Sequence, residues 1–265
     1  MYLLSDRDVI DALEASRRRG VQVRVMLEEN PFGSGPGNRA TFDRLKAAGI
    51  RVQWGAPKFQ FDHEKFAVAD RKEALVGTAN WTYSAFVANR EYLLRDAEPN
   101  DVAQLDAIFD ADWERGDAKV DDPRVVVSPT NSRSVFLAMA RSARSTIEIE
   151  TEEMEDQGIE RALVGASRRG VSVAVVLPVP AAQPDVNATG IQQLKAGGVQ
   201  VRELRAPYVH GKVVLVDGRE VFVGSENFSR SSLDENREVG LLVSDPTTIQ
   251  QVKETFSRDW KAGKP

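Results

Sequence analysis

The only two histidines of this chain lie in stretches that repeat one spacing of polar residues. The first stretch contains His63, Lys65, Asp70, Gly77, Asn80 and Glu91, and the second contains His210, Lys212, Asp217, Gly224, Asn227 and Glu238. The intervals from the histidine are +2, +7, +14, +17 and +28 in both stretches. Because both histidines fall in register, the pattern predicts one site built from the two copies.

This set of side chains fits phosphodiester chemistry. One neutral histidine can attack phosphorus while a second, protonated histidine donates a proton to the leaving oxygen. The lysines and the asparagine amides can hold the non-bridging oxygens, and each glutamate can fix the tautomer and orientation of its histidine. Since the lysines supply the positive charge that a cation would otherwise bring, we predict no metal ion and no cofactor.

The local pattern indicates how these residues are positioned. Residues two apart lie on one face of a strand, so His63 and Lys65 point the same way, and the second pair does likewise. Asp70 and Asp217 fall at predicted hairpin turns, which favours a structural role for both. The glycines at +14 allow a close approach of backbone or ligand. The asparagines at +17 either reach the histidines or serve as helix N-caps.

The repeat extends well beyond the two polar stretches. Residues 12–27 match 162–177 at an offset of 150, and from His63 onward the offset is 147. We therefore divide the chain into two repeats, 1–119 and 120–265. Each repeat alternates amphipathic helices with apolar strands, which predicts an α/β fold with a mixed sheet flanked by helices. We expect the two lobes to pack about a pseudo-two-fold axis.

The HxKxxxxD pattern, followed by GxxN, resembles the phospholipase D superfamily, also called the HKD superfamily. Stretches such as "GSENFS" look like its small bacterial members, which are phospholipase D-like or cardiolipin synthase-like. The resemblance implies a phosphohistidine intermediate, no metal, and a single site between two phospholipase D-like lobes. It carries over as the site His63, Lys65, Asn80, His210, Lys212 and Asn227, with Glu91 and Glu238 at the acidic position that supports the histidines.

These observations predict a metal-independent phosphodiesterase or phosphatidyltransferase that acts on phospholipid head-group esters at a membrane surface. Water or an alcohol is the acceptor, and one chain is expected to be active as a monomer. By the resemblance, His63 is the nucleophile and His210 the general acid and base. A nuclease of the same superfamily is an alternative that the net charge of −5 disfavours. A catalytically silent binding module is another, although neither copy has lost its histidine or lysine.

Composition limits the remaining possibilities. The chain has no cysteine, which excludes disulfides and thiolate metal sites, and no apolar run approaches a membrane span. As written, it predicts a soluble, cytoplasmic protein. The acidic run 148–156 is interpreted as a strand end and a helix start rather than a cation site.

The beginning of the first copy differs from that of the second. Residues 131–150 supply a helix and a strand for which the first copy has no counterpart. We therefore expect the position equivalent to the strand 146–150 to be empty in the first lobe or filled by another segment. The natural gene product is expected to begin upstream, with an export signal or membrane association as one consequence.

Overall fold

Two α/β lobes follow one another along the chain in the computed structural model, which describes residues 1–33, 35, 37–181 and 184–265. The elements of the first lobe, in chain order, are α1 (Arg7–Arg18), β1 (Arg24–Leu27), α2 (Arg39–Ala47), β2 (Arg51–Trp54), β3 (Phe66–Ala69), β4 (Glu73–Gly77), α3 (Tyr83–Val87), β5 (Asn89–Arg90), β6 (Leu93–Asp96) and α4 (Pro99–Trp113). This alternation of helices and strands is the one that the sequence predicts.

The second lobe repeats the order and adds two strands and a helix at its start. Its elements are β7 (Val125–Ser128), α5 (Ser132–Ser142), β8 (Thr146–Thr151), α6 (Gln157–Arg168), β9 (Ser172–Pro178), α7 (Ala188–Ala196), β10 (Gln200–Leu204), β11 (Tyr208–Val209), β12 (Lys212–Val216), β13 (Glu220–Gly224), α8 (Arg230–Asp234), β14 (Glu238–Val243) and α9 (Pro246–Ala262). The predicted α/β class with two tandem lobes is confirmed.

The first helix of each lobe starts and ends for the same local reasons. The Asp6 carboxylate accepts hydrogen bonds from the backbone of α1, and Asp156 does so for α6. After each helix a glycine adopts a positive φ, 93° at Gly20 and 90° at Gly170, which L-residues rarely adopt. Repeated caps thus place equivalent strands at equivalent points of the two lobes.

The sheet of the second lobe is complete, and that of the first lobe is divided. The second has seven strands in the order β10-β9-β8-β12-β13-β14-β7, in which the first three are parallel and the rest antiparallel. In the first lobe β1 pairs with β2, while β3, β4 and β6 form a separate sheet. Within the described residues, no strand occupies the position between β1 and β3 that β8 fills in the second lobe, as the sequence comparison predicts.

The hairpin that carries each histidine–lysine pair turns where the sequence predicts. Asp70 and Arg71, between β3 and β4, have φ values of 54° and 55°. Asp217 and Gly218, between β12 and β13, have values of 52° and 62°. Two consecutive residues with positive φ form the type I′ turn that suits the twist of antiparallel strands. The tight turns fix the register of the strands that hold the site residues.

A shared apolar layer joins the lobes. Val76 and Leu105 of the first lobe are fully buried with Val127 and Val239 of the second. A second cluster packs Tyr92 of the first lobe against the second-lobe sheet. Burial of about 25 cal/mol per Å² of apolar surface makes such a layer the main source of interface stability. The two lobes therefore hold each other in one orientation.

Pairs of backbone contacts across the interface reveal the pseudo-two-fold axis. Asp62 forms a parallel bridge with Arg237, and Val209 pairs in parallel with Arg90. Adding the offset of 147 to the first-lobe member of one pair gives the second-lobe member of the other. Such reciprocal contacts are the signature of a two-fold relation. The axis passes between these pairs, next to both histidines.

Candidate active site

The two histidine–lysine pairs lie at the interface between the lobes. The backbone N–H of His63 donates to the carbonyl of Arg237 at 2.9 Å, and that of His210 donates to the carbonyl of Arg90 at 3.2 Å. Each histidine is thus held by the other lobe as well as by the start of its own hairpin. The ring of His63 is 12% exposed and that of His210 10%. Both rings therefore lie in a largely enclosed site.

Each histidine contacts the glutamate of the other copy. His63 Nδ1 lies 2.8 Å from Glu238 Oε2, and His210 Nδ1 lies 2.9 Å from Glu91 Oε2. The structure corrects the simplest interpretation of the sequence, in which each glutamate serves the histidine 28 residues before it. A carboxylate at Nδ1 accepts its proton and leaves Nε2 as the reactive nitrogen. In both cases the histidine and the carboxylate that contacts its Nδ1 belong to different lobes.

Asparagine and hydroxyl groups hold the two glutamates in place. Asn89 Nδ2 donates to Glu91 at 3.1 Å, and the equivalent Asn236 donates to Glu238 at the same distance. Ser232 Oγ also donates to Glu238, at 2.8 Å. These donors stabilise charged carboxylates that are buried. Both copies carry the tripeptide "NRE", at residues 89–91 and 236–238, and this was the signal in the sequence that could have indicated the two asparagines.

Burial and charge set the protonation of the first pair. Burial lowers the pKa of His63 to about 4, against the opposing influence of Glu238, so the ring is neutral at pH 7. Burial opposes ionisation of Glu238, but His63 and Lys65 outweigh it and hold the pKa of that carboxyl below its ordinary value. His63 is therefore a neutral imidazole whose Nδ1–H donates to a carboxylate.

Both lysines are almost fully buried, at 1% exposure. Lys212 Nζ donates to the carbonyl of His210 at 2.8 Å, and Lys65 Nζ donates to the carbonyl of His63. Burial lowers the pKa of Lys65 to about 7, and the charge of Lys212 adds to this, against the opposing influence of Glu238, Glu152 and Glu91. A bound phosphate anion would raise the pKa of Lys65 again. The lysines are thus positioned as the sequence predicts, beside the histidines and on the same side.

The two asparagines do not cap helices. The N-caps of α3 and α8 are Thr82 and Ser229, two residues later, so the N-cap interpretation is wrong. The Oδ1 atoms of Asn80 and Asn227 are buried and have no hydrogen-bond partner among the described residues. Buried amides without partners are uncommon in folded proteins. The two Oδ1 atoms can accept a hydrogen bond from a ligand, whereas a contact to a phosphate oxygen would come from the Nδ2 donors.

The motif aspartates and glycines shape the backbone, as predicted. Asp217 accepts hydrogen bonds from the N–H groups of residues 144, 145 and 146 and so fixes the start of β8. Asp70 occupies the same turn in the first lobe and is exposed. A Cβ atom on Gly77 would lie 2.3 Å from the carbonyl oxygen of Tyr92, and one on Gly224 would lie 2.5 Å from Gly240 Cα. Only glycine fits at either position.

Alanine at Gly224 is expected to lower the free energy of unfolding by about 1–3 kcal/mol, since the strand beneath it must shift. Urea unfolding measured by circular dichroism gives this value. The matched control is Gly165→Ala in α6, where a Cβ meets nothing closer than 3.9 Å. Because alanine favours helix, the control should be neutral or stabilising. Equal loss in both variants would contradict the steric explanation.

Sequence reasoning missed a pair of ion pairs that brace the interface. Arg237 Nη2 lies 2.6 Å from Asp112 Oδ1, and Arg90 Nη2 lies 3.0 Å from Asp259 Oδ1. Each pair joins the arginine of "NRE" in one lobe to the last helix of the other. The shared "NRE" tripeptides and the aspartates near the ends of the repeated final helices were the available signals. Arg90 contacts Asp259 through two nitrogens, which makes that pair directional, whereas Arg237 contacts Asp112 through Nη2 alone.

Two more residues in the site were not predicted. Glu152 Oε2 lies 2.9 Å from Lys212 Nζ and 3.3 Å from His210 Nε2. Tyr2 occupies the equivalent position in the first lobe, with its ring centroid 4.5 Å from that of His63. The acidic run around Glu152 was interpreted as a strand end. Only the offset of 150 between the two copies could have shown that Tyr2 and Glu152 occupy equivalent positions.

The described residues contain neither a cluster suited to a metal ion nor a helix suited to crossing a membrane. No group of three or more histidine, cysteine or acidic side chains is arranged to hold a metal ion within residues 1–33, 35, 37–181 and 184–265. Over the same part of the chain, no helix is both long and apolar enough to cross a membrane.

A duplicated α/β unit with two histidine–lysine pairs at its interface defines a class of protein. The chain belongs to the phospholipase D superfamily, because the family model described as "Cardiolipin synthase, PLD-like domain" matches residues 1–113 and 136–260. The matched residues contain both histidine–lysine pairs.

Individual relatives are similar over most of the chain. A probable cardiolipin synthase of Bacillus subtilis is 25% identical over 96% of this chain, which spans 58% of that protein's length. A cardiolipin synthase B of Salmonella typhi is 25% identical over 92% of the chain and 68% of that protein. A mitochondrial cardiolipin hydrolase of Danio rerio is 29% identical over 51% of the chain and 59% of its own length.

Solved structures share the fold. The phosphatidylserine synthase of Haemophilus influenzae Rd KW20 superposes with a TM-score of 0.74, at 13% identity, over 99% of this chain and 80% of that one. A polyphosphate kinase of Porphyromonas gingivalis superposes with a TM-score of 0.75, at 20% identity, over 97% of this chain and 41% of that one. The architecture of both lobes together is therefore shared with known proteins.

Proposed function

We propose that this chain is a phospholipase D-type phosphodiesterase or phosphatidyltransferase that acts on phospholipid head-group esters through a phosphohistidine. The observation that carries the proposal is the crosswise support of the two histidines. Each ring has its Nδ1 bound to a glutamate of the other lobe, and each has a buried lysine that donates to the carbonyl of the same histidine. The names of the relatives, which include cardiolipin synthases and a cardiolipin hydrolase, support a phospholipid substrate.

The first step forms a covalent intermediate. His63 Nε2 attacks phosphorus, and the bond between phosphorus and the head-group oxygen breaks. His210 donates the Nε2 proton to that oxygen, so the head-group alcohol leaves neutral. Lys65, Lys212 and the two asparagine amides stabilise the negative charge on the non-bridging oxygens. Glu238 stabilises the positive charge that develops on His63.

The second step releases the phosphatidyl group. Neutral His210 accepts the proton of a water or alcohol, whose oxygen attacks phosphorus as the bond to His63 Nε2 breaks. His63 returns to its neutral form and His210 to its protonated form, so the cycle is balanced. Water yields phosphatidic acid, and an alcohol yields a new phosphatidyl ester. Both lysines already carry the charge-stabilising role, which makes a divalent ion unnecessary.

The substrate class is tested by one set of assays on the purified chain. Vesicles of phosphatidylglycerol and of phosphatidylcholine, and single-stranded DNA, are incubated with the chain in excess EDTA. We expect phospholipid to be converted to phosphatidic acid, and added ethanol to divert the product to phosphatidylethanol. Thin-layer chromatography separates the two products. The His63→Ala variant is the control for contaminating activity.

Three other outcomes would each contradict a different part of the proposal. Activity that is lost in EDTA and restored only by a divalent ion contradicts the metal-free mechanism. Degraded DNA beside intact lipid identifies the nuclease alternative. No turnover of either substrate by a folded chain favours a binding module.

A further inference from the structure

The two halves of the candidate site differ at a pair of equivalent positions beside the histidine rings. Glu152 follows β8, and Tyr2 lies at the same place in the first lobe, 150 residues earlier. The equivalence holds in three dimensions, because Leu4 bridges Trp81 and Met154 bridges Phe228 in the same way. The site thus has a carboxylate beside one histidine and an aromatic ring beside the other.

Glu152 contacts the reactive edge of His210. Its Oε2 lies 3.3 Å from His210 Nε2 and 2.9 Å from Lys212 Nζ, and its Oε1 accepts a hydrogen bond from the Tyr208 hydroxyl at 3.1 Å. With Glu91 at Nδ1, both ring nitrogens of His210 face carboxylates. An imidazole satisfies two such acceptors only when both nitrogens carry protons. This arrangement favours the imidazolium form of His210.

The surroundings of His63 favour the opposite form. One carboxylate, Glu238, faces Nδ1, and the ring packs edge-on against Tyr2, with Lys65 Nζ 4.9 Å from the centre of the tyrosine ring. Burial raises the pKa of Tyr2 to about 12, so the phenol stays neutral and offers no charge. Within the described residues, no second carboxylate lies within ion-pair distance of the His63 ring, so no counter-ion holds a second proton there.

We propose that Glu152 is a positioning residue that holds the second proton on His210 and so assigns the proton-donor role to that histidine. The inference rests on the proposed function for its catalytic consequence. Among the described residues, the charged side chains within ion-pair distance of the His210 ring are Glu91 at Nδ1 and Glu152 at Nε2. Lys212 and Tyr208 contact Glu152 in turn, and neither offers a negative charge. The two glutamates are therefore the counter-ions of His210.

Ionisation of Glu152 fits this role. Burial opposes the charge, but Lys212 and His210 outweigh it and hold the pKa of this carboxyl far below its ordinary range. The neighbouring Glu153 behaves in the opposite way, because burial and the charge of Glu152 raise its pKa to about 7. At neutral pH Glu152 is therefore ionised, whereas Glu153 is partly protonated. Glu153→Gln is therefore a matched control for Glu152→Gln.

The first test reads the protons directly by NMR and needs no activity. The chain has two histidines, so ¹⁵N-labelled ring signals are assigned with one variant of each. We expect His210 to keep both ring protons to a higher pH than His63 does. In Glu152→Gln we expect His210 to lose a proton about 1 pH unit lower, whereas Glu153→Gln leaves it unchanged. An unchanged His210 titration in Glu152→Gln overturns the proposal, whether or not the chain hydrolyses phospholipid.

The second test uses the leaving group. Phosphatidylglycerol needs its leaving oxygen protonated, whereas phosphatidyl-p-nitrophenol has a leaving oxygen that departs as an anion. We expect Glu152→Gln to slow the first substrate by about 10-fold or more and the second by less than about 3-fold, with the alkaline limb of the kcat profile for the first moved to lower pH. Equal loss on both substrates would indicate a merely structural role and overturn the catalytic assignment. A wild-type chain inactive on both substrates contradicts the proposed function instead, while the NMR titration still decides the proton on His210.

Discussion

Alanine in place of His63 is expected to slow phosphodiester turnover by at least about 10⁴-fold, because no group then forms the bond to phosphorus. The pKa of His63, which burial lowers to about 4, leaves Nε2 unprotonated at neutral pH. The measurement is the initial rate of head-group release from phosphatidylglycerol vesicles. Circular dichroism shows whether the variant is folded.

The matched variant is His210→Ala, which removes the proton donor but retains the nucleophile. With radiolabelled phosphatidyl-p-nitrophenol, we expect acid-labile label on His63 in the His210→Ala chain and none in the His63→Ala chain. The good leaving group lets the first step proceed without a donor. Label on His210 in the His63→Ala chain would reverse the assignment of roles. Absence of label in an active wild-type chain would remove the covalent step.

Glutamine in place of Glu238 is expected to lower kcat by about 10³–10⁴-fold, because an amide stabilises neither the Nδ1–H tautomer nor the developing charge on His63. The affected histidine belongs to the other lobe, 2.8 Å from Glu238 Oε2. The measurement is kcat for phosphatidylglycerol, together with the extent of labelling of His63.

A buried carboxyl near Glu238 supplies the control. Burial raises the pKa of Glu226 well above its ordinary value, so Glu226→Gln replaces one neutral group by another and should change kcat by less than about 3-fold. Labelling of His63 that survives Glu238→Gln but is lost in Glu91→Gln would show that the crosswise pairing is wrong.

Much of the fold could be predicted because it rests on local rules. Turn chemistry located the hairpin at Asp217, and the period-two pattern identified the strand that follows Lys65, although His63 and Lys65 themselves come just before β3. The offset between the copies also indicated that no strand would fill the place next to β1 that β8 takes in the second lobe. Each inference depended on residues close in sequence or on comparison of the two copies.

The site contained three features that local rules could not give. Spacing within one copy cannot tell whether Glu238 reaches His210 or His63, since that depends on how the lobes pack. The N-cap interpretation of Asn80 was wrong because the hydroxyl of Thr82, two residues later, accepts the capping hydrogen bond. Glu152 was hidden in an acidic run, where charge composition alone favours a solvated strand end.

The crosswise contacts also account for where the two copies tolerate differences in length. Helices α1 and α2 pack within their own lobe, around a cluster that includes Ile10 and Leu45, and there the offset drifts from 150 to 149. From His63 onward each histidine takes its Nδ1 partner from the opposite half, each arginine of "NRE" pairs with the last helix of the opposite half, and the offset stays at 147. An insertion in that stretch would displace the glutamate that contacts the histidine of the opposite lobe, and it would also displace the residues beside the histidine of its own lobe. In this stretch, neither copy can change its length without a matching change in the other.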